Sequence, residues 1–240
     1  MDNKSRQSKI VDMFDEIAPT YDFTNRVLSF GIDKKWRKLG CEKAYEILNQ
    51  KSLEQISDVA CGTGDLLLFW KDIADKKKIT VNQFIGIDPS VNMLSIAEKK
   101  VDFAEFIEGK AQELPLFDKT SDIISISYGI RNVVDRVEAL KEFNRVLKVG
   151  GLVVILEFTK REQKGFFSKI IDFYMTKILP TIGGLVSKNY QAYKYLPDSI
   201  EGFLTTSMLT NELQEAGFTM KYTKSFSFGI STLLIAQKDG

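Results

Sequence analysis

The stretch Asp58-Val59-Ala60-Cys61-Gly62-Thr63-Gly64-Asp65 decides the fold. The apolar run Ile56 to Ala60 predicts a buried strand, and Asp65-Leu66-Leu67-Leu68-Phe69-Trp70 opens a helix. Glycines at that junction let a ligand approach bare backbone, because no Cβ stands in the way. A second apolar run, Phe84-Ile85-Gly86-Ile87-Asp88, ends in an acid. The tip of the second strand is where many α/β folds hold a ribose. Both features together point to a nucleotide site.

The charges say which nucleotide. A dinucleotide fingerprint needs a third glycine after Gly64, and Leu67 stands there. Carboxylates flank the turn at Asp58 and Asp65. They repel a pyrophosphate and attract a ligand carrying an ammonium and a sulfonium. The expected cofactor is therefore S-adenosylmethionine, and a dinucleotide-dependent reductase is disfavoured.

Composition narrows the rest. With 240 residues, 44% hydrophobic and 27% charged, the chain is expected to form one elaborated domain. Lysine and arginine number 33 against 32 acids, so no basic field points to nucleic acid. The cysteines Cys41 and Cys61 make no disulfide framework and fit a reducing cytoplasm. The polar stretch Met1 to Ile10 lacks the apolar core of a signal peptide, and no run is long and apolar enough to span a bilayer. Histidine is absent, which removes the commonest general base and the commonest metal ligand. No metal site is expected.

Along the chain, Val11 to Leu48 reads as helical, with a break at Pro19 and a second helix after Gly31. It is either a capping helix pair or a cover over the cofactor. Beyond the glycine turn strand and helix alternate. Gln83 to Asp88 is strand, and Val91 to Lys100 is a helix capped by Ser90. Ala104 to Glu108, Ile123 to Ser127 and Leu152 to Phe158 are strands. Asp135 to Leu147 is an amphipathic helix expected to end at Gly150-Gly151. Such alternation implies a parallel sheet covered on both faces, with its ligand beyond the strand ends where Gly62, Asp88 and Ser127 fall. Phe166 to Leu179 carries one apolar stripe at helical spacing, which Pro180 and Gly183-Gly184 are expected to interrupt. Leu204 to Ala216 reads as a helix, and Phe218 to Ser225 with Ile230 to Gln237 as an antiparallel strand pair.

At this point the residues resemble a known family. The turn Asp58 to Asp65 is similar to motif I of class I S-adenosylmethionine-dependent methyltransferases. Tyr21-Asp22-Phe23-Thr24-Asn25-Arg26-Val27-Leu28-Ser29 with Trp36 resembles the N-terminal signature of the ubiquinone/menaquinone biosynthesis C-methyltransferases. Arg145-Val146-Leu147-Lys148-Val149-Gly150-Gly151, running on to Glu157-Phe158-Thr159, is similar to that family's second signature. Ser127-Tyr128-Gly129-Ile130-Arg131-Asn132-Val133 resembles its segment after the fourth strand. The resemblance covers nearly the whole chain.

It implies a doubly wound, seven-stranded class I methyltransferase (Rossmann-like) α/β sheet, mostly parallel with an antiparallel C-terminal strand pair. The single domain would divide into a helical cover (1–50), a cofactor-binding core (51–160), a helical substrate lid (161–206) and a C-terminal helix and strand pair (207–240). The implied reaction is methylation of a ring carbon of a prenylated quinol, demethylmenaquinol to menaquinol. The nearest rival is a small-molecule O- or N-methyltransferase. Cofactor-binding residues would be Gly62, Thr63, Gly64, Asp88, Lys110, Ala111 and Ser127, and the catalytic group Arg131, Asn132 and Tyr21. A cytoplasmic protein in peripheral contact with the inner face of the membrane follows, and a homodimer stays open. The family usually has histidine at the position of Asp33, methionine at Thr24, proline at Val149 and serine at Thr159, and none of these departures reads as essential. Lys110 stands where an Asp or Asn usually meets adenine, and an ammonium has no acceptor for that amine. Adenine reading would pass to the backbone around Ala111.

Overall fold

Seven strands form one sheet: β1 Ser52–Val59, β2 Thr80–Asp88, β3 Glu105–Glu108, β4 Ser121–Ser127, β5 Leu147–Phe158, β6 Phe218–Phe226 and β7 Ser231–Lys238, in the order β3-β2-β1-β4-β5-β7-β6. The computed structural model describes residues 3–162, 173–187 and 189–240. Strands β1 to β5 run parallel, and β7 lies antiparallel between β5 and β6. Parallel strands covered on both faces read as unbroken apolar runs. Ile123, Ile124 and Ile126 of β4 and Leu152, Val153 and Ile155 of β5 are fully buried accordingly. The chain moves outward from β1 to β3, then returns to place β4 on the other side of β1. That reversal opens a crevice at the carboxyl ends of β1 and β4.

Helices cover both faces. On one side α3 (Ile32–Leu48) and α4 (Asp65–Lys77) bury Cys41, Ala44, Tyr45, Leu67 and Trp70. The Trp70 indole donates to Ser125 Oγ at 3.0 Å, and the Tyr45 hydroxyl donates to the Trp70 carbonyl at 2.9 Å. The other face is packed by α6 (Arg136–Val146), through Leu140 and Phe143, and by a later helix, Thr206–Glu215, through Leu209 and Leu213. Helix α5 (Val91–Lys100) is capped as expected, Ser90 Oγ accepting from the Met93 amide at 3.1 Å.

The N-terminal helices take two positions. Helix α1 begins at Asn3 and runs to Ile17, and α2 spans Tyr21–Ser29. Both reach over the strand ends, Gln7 accepting from the Val134 amide and Asp22 from Thr63 Oγ1. Helix α3 packs on the sheet face.

Two expectations need correction. Helix α6 ends at Val146, and Gly150-Gly151 lie inside β5. A Cβ at Gly151 would meet the carbonyl oxygens of Lys148 at 2.9 Å and Asp122 at 3.0 Å, so that glycine serves close strand packing. The first half of the Phe166 to Leu179 stripe lies outside the described residues. From Tyr174 a π-helical turn, Tyr174–Ile178, leads into α7 (Leu179–Ser187), which runs through Pro180, Gly183 and Gly184 without a break. Pro180 falls at the second residue of α7, where the ladder has just changed register and a missing N–H is tolerated. Gly183 and Gly184 admit α8 (Tyr190–Glu201): a Cβ on them would meet Tyr193 at 2.4 Å and Tyr190 at 2.9 Å. Thr206–Glu215, the last helix, is α9.

Candidate active site

The glycine turn is held from behind by Asp88. Its Oδ2 accepts the Gly62 amide at 2.8 Å and its Oδ1 the Ser90 amide at 2.9 Å. Burial pushes this carboxyl up to about 6, while those two amides pull the other way. Each oxygen of a carboxylate has two lone pairs, so one per oxygen remains for a ligand. Gly62 has φ +55°, and a Cβ placed there would face open space. The backbone is therefore bared to the cleft in a conformation that other residues adopt at a cost. At Gly129 a Cβ would lie 2.6 Å from that of Ala60, so the segment after β4 presses directly on the turn.

The cleft beside the turn is lined by Gly62, Asp88, Lys110, Ala111, Ser127 and Asn132, with Gln7, Ile10, Phe14 and Tyr21 above. Ser127 Oγ is buried there without a hydrogen-bond partner among the described residues. An orphaned buried hydroxyl is costly, and a ligand in the cleft would satisfy it. Thr63 does not line this cleft. Its hydroxyl donates to Asp22 Oδ1 at 2.6 Å, tying the turn to α2.

Lys110 opens a tight turn, the Glu113 amide donating to its carbonyl at 3.1 Å, while its side chain is exposed. Ala111 is buried. Lys110→Ala should leave cofactor affinity within about twofold of wild type, since an exposed ammonium supplies no acceptor. A tenfold loss by calorimetry, with an unchanged circular dichroism spectrum, would defeat that expectation.

The flanking carboxylates behave differently from a simple cation trap. Asp65 is ion-paired with both Arg26 and Lys100, and Lys100 also reaches Asp22 at 2.7 Å. Asp33 is paired with Arg26 and Arg37 and accepts from Ser29 Oγ at 2.6 Å. An alternating chain thus runs Asp22–Lys100–Asp65–Arg26–Asp33–Arg37. Asp65 is neutralised, and the attraction ascribed to it is left to Asp88, which lines the cleft, and to the buried Asp58, which does not. Asp58 is buried opposite Ser125 on β4 and accepts from its hydroxyl at 2.7 Å. Burial pushes the Asp58 carboxyl up to about 7.

Next to the cleft lies a larger cavity of about 510 Å³, mainly apolar, whose walls include Met13, Leu28, Trp36, Arg37, Phe158, Met175 and Leu196. Phe14, Tyr21 and Tyr128 line both spaces. Of the predicted catalytic group, Arg131 faces the cavity, Asn132 the cleft, and Tyr21 both. Burial raises the Tyr21 hydroxyl above its ordinary value, with Arg37 and Arg131 opposing. Asn132 Oδ1 accepts from Tyr195 at 3.1 Å. Arg131 donates through Nη1 to Glu157 at 2.5 Å and to the Tyr128 carbonyl at 2.8 Å, and through Nε to Ser199 at 3.3 Å. Glu157 has no exposed surface, and burial raises its carboxyl against the pull of Arg131.

Sequence reasoning did not single out Arg37, Asp33 or Glu157 as site residues. One signal was available for Glu157, a lone acid in the apolar run Leu152 to Phe158, because unpaired acids are almost never buried.

The ubiE/COQ5 methyltransferase family model matches residues 2–238. The chain belongs to that family. A ubiquinone/menaquinone biosynthesis C-methyltransferase UbiE from Campylobacter jejuni is 53% identical over 97% of this chain and 99% of its own length. A demethylmenaquinone methyltransferase from Thermotoga maritima is 40% identical, covering 93% of each chain. Among solved structures, a putative methyltransferase bound to the Trm112 activator of Haloferax volcanii superposes with TM-score 0.66 at 15% identity, over 95% of this chain and 98% of its own. A possible histamine N-methyltransferase from Thermotoga maritima gives 0.59 at 21%, over 96% and 100%. These two speak for the fold alone. Family membership makes the chain a methyltransferase whose methyl donor is S-adenosylmethionine. Among the described residues no helix is long and apolar enough to cross a membrane.

Proposed function

We propose that the chain methylates a ring carbon of a prenylated quinol, converting demethylmenaquinol to menaquinol in menaquinone/ubiquinone biosynthesis. The supporting observation is the 510 Å³ apolar cavity that meets the glycine-turn cleft at Phe14, Tyr21 and Tyr128. The cleft suits the donor: bared backbone at Gly62, two free lone pairs on Asp88 for a ribose, and the orphaned Ser127 hydroxyl. Gly64 turns the chain into α4, Thr63 latches the cover, and backbone near Lys110 and Ala111 would read the adenine. When bound, the donor supplies an electrophilic methyl group on sulfur.

The acceptor carbon lies ortho to a ring hydroxyl. Loss of that proton to a carboxylate or solvent puts charge on oxygen and the ortho carbon. The carbon–methyl bond forms as the sulfur–methyl bond breaks, and loss of the ring proton restores aromaticity. Arg131, Asn132 and Tyr21 hold the ring and its oxygen, and the aromatic walls exclude water. Phe30 and Ile32 line the cavity and are exposed. This apolar rim suits a protein that takes its substrate from a membrane surface.

Incubation with labelled S-adenosylmethionine and lipid extracts of quinone-pathway mutants tests the reading. Label should appear in a prenylated quinol. With synthetic acceptors kcat/KM should rise over the first prenyl units, each buried methylene gaining about 0.8 kcal/mol, and then level off. Label confined to small hydroxyl or amine compounds, or equal rates without a tail, would instead favour the O- or N-methyltransferase alternative.

A further inference from the structure

Arg37 is a buried cation in the cavity wall with a donor left over. The residue is 7% exposed and lies early in α3. Its Nη1 is bonded to Asp33, one helical turn earlier, while its Nε has no hydrogen-bond partner among the described residues. The guanidinium lies over the Tyr128 ring, 5.2 Å from the centroid, and that of Arg131 over Phe158 at 5.5 Å. The two rings pack together with centroids 4.5 Å apart. Each ring of this pair therefore carries one guanidinium.

The two cations differ in how far they are neutralised. Arg131 faces Glu157, which has no other cation among the described residues. Arg37 stands at the end of the alternating ion chain and shares Asp33 with Arg26. Its charge reaches Asp58 at the end of β1, Tyr21 on α2, Tyr128 after β4, and Cys41 on its own helix. None of these supplies an acceptor to Nε.

A quinol ring presents two oxygens on opposite edges, and the cavity holds two guanidiniums. We infer that Arg37 is a second catalytic residue: it donates to the quinol oxygen that Arg131 does not hold and stabilises the ring as its anion. The assignment rests on the prenylated-quinol reading. It also explains why a charged side chain is buried in an apolar cavity with one donor unsatisfied.

The experiment uses a naphthol bearing a prenyl tail, whose phenolate absorbs at longer wavelength than the phenol. Its ionisation is followed against pH when bound to the full chain, with neither methyl donor nor turnover. Wild type should lower the ionisation midpoint relative to free probe. Arg37→Gln should weaken bound-probe ionisation about tenfold, one unit in midpoint. Arg37→Lys should recover part of this, and Asp33→Asn, which removes the carboxylate offsetting Arg37, should lower the midpoint further. With a prenylated quinol, kcat of Arg37→Gln should fall roughly 10–100-fold, less than for a sole oxyanion donor. If wild type does not bind the probe, the quinol reading fails and takes this assignment with it. If the probe binds and ionises identically in wild type and Arg37→Gln, while only thermal stability falls, the quinol reading stands and Arg37 merely clamps Asp33.

Discussion

Replacing Arg131 by alanine should lower kcat roughly 10²–10³-fold, the loss found when one oxyanion donor is removed. The same change should destabilise the protein by about 3–5 kcal/mol, because a buried carboxylate loses its cation. Both effects follow from one geometry. The guanidinium forms part of the cavity wall, yet its Nη1 is bonded 2.5 Å from Glu157, which has no exposed surface. Separating them takes two variants. Arg131→Met with Glu157→Gln replaces the ion pair by groups that can be buried without charge, so folding should recover while kcat stays low. Arg131→Lys should recover only part of the rate, since a point charge lacks the fork of donors. Stopped-flow single turnovers at saturating donor read the chemistry, and activity of the double variant should rise at high pH, where solvent ionises the phenol. Normal single-turnover rates combined with collapsed donor affinity would move Arg131 from the acceptor cavity to the donor site.

Asp58→Asn should make the protein more stable at neutral and higher pH, by about 4 kcal/mol relative to its effect in acid. The basis is the burial that holds the Asp58 carboxyl near 7, against an ordinary value near 4. The sign follows from proton counting. Between about pH 4 and 7 the unfolded chain has released this proton and the folded chain keeps it, so raising the pH favours unfolding. The stability of the protonated form is present in acid and lost as pH climbs through 7. Asp88, held near 6, adds to the same trend. Asparagine keeps an oxygen for the Ser125 hydroxyl and cannot ionise, so the variant should lose most of the slope. Urea unfolding at pH 5 and pH 8 reads about two-thirds of it, because at pH 5 the unfolded chain has already released most of this proton. A difference between variant and wild type that stays constant across that range would show that Asp58 is solvated enough to ionise freely. The gain should come with weaker binding of the cationic donor, a trade common where a strained charge serves function.

How much of this was legible in the sequence depends on the range of the interaction. Features written within a few residues came through. These include the strand–glycine–helix turn at Asp58 to Asp65, the Ser90 cap, the acid at the tip of β2, and the alternation that demands a parallel sheet. Glycines were read less well. Gly183-Gly184 and Gly150-Gly151 look like breaks along the chain, but their neighbours are Tyr193 and Asp122, which only the folded structure brings close. Pairs of charged side chains were hidden for the same reason. Asp65 reads as a free carboxylate until Arg26, 39 residues earlier, and Lys100, 35 residues later, close on it. Asp33 reads as an unimportant departure from the family pattern, whereas it is buried and engages two arginines. The absence of histidine was informative because it is a property of composition, and it directed attention to arginine as the cation.

The wall shared by the cleft and the cavity has a consequence beyond positioning. On the proposed reading one reactant dissolves in water and the other in lipid, and in solution they do not mix. Phe14, Tyr21 and Tyr128 then form a phase boundary a few side chains wide, aqueous chemistry on one side and hydrocarbon on the other. Methyl transfer is the only event that has to cross it. An enzyme built this way need not dissolve its acceptor or admit its donor to the membrane, because it carries the meeting surface of the two solvents inside its own fold.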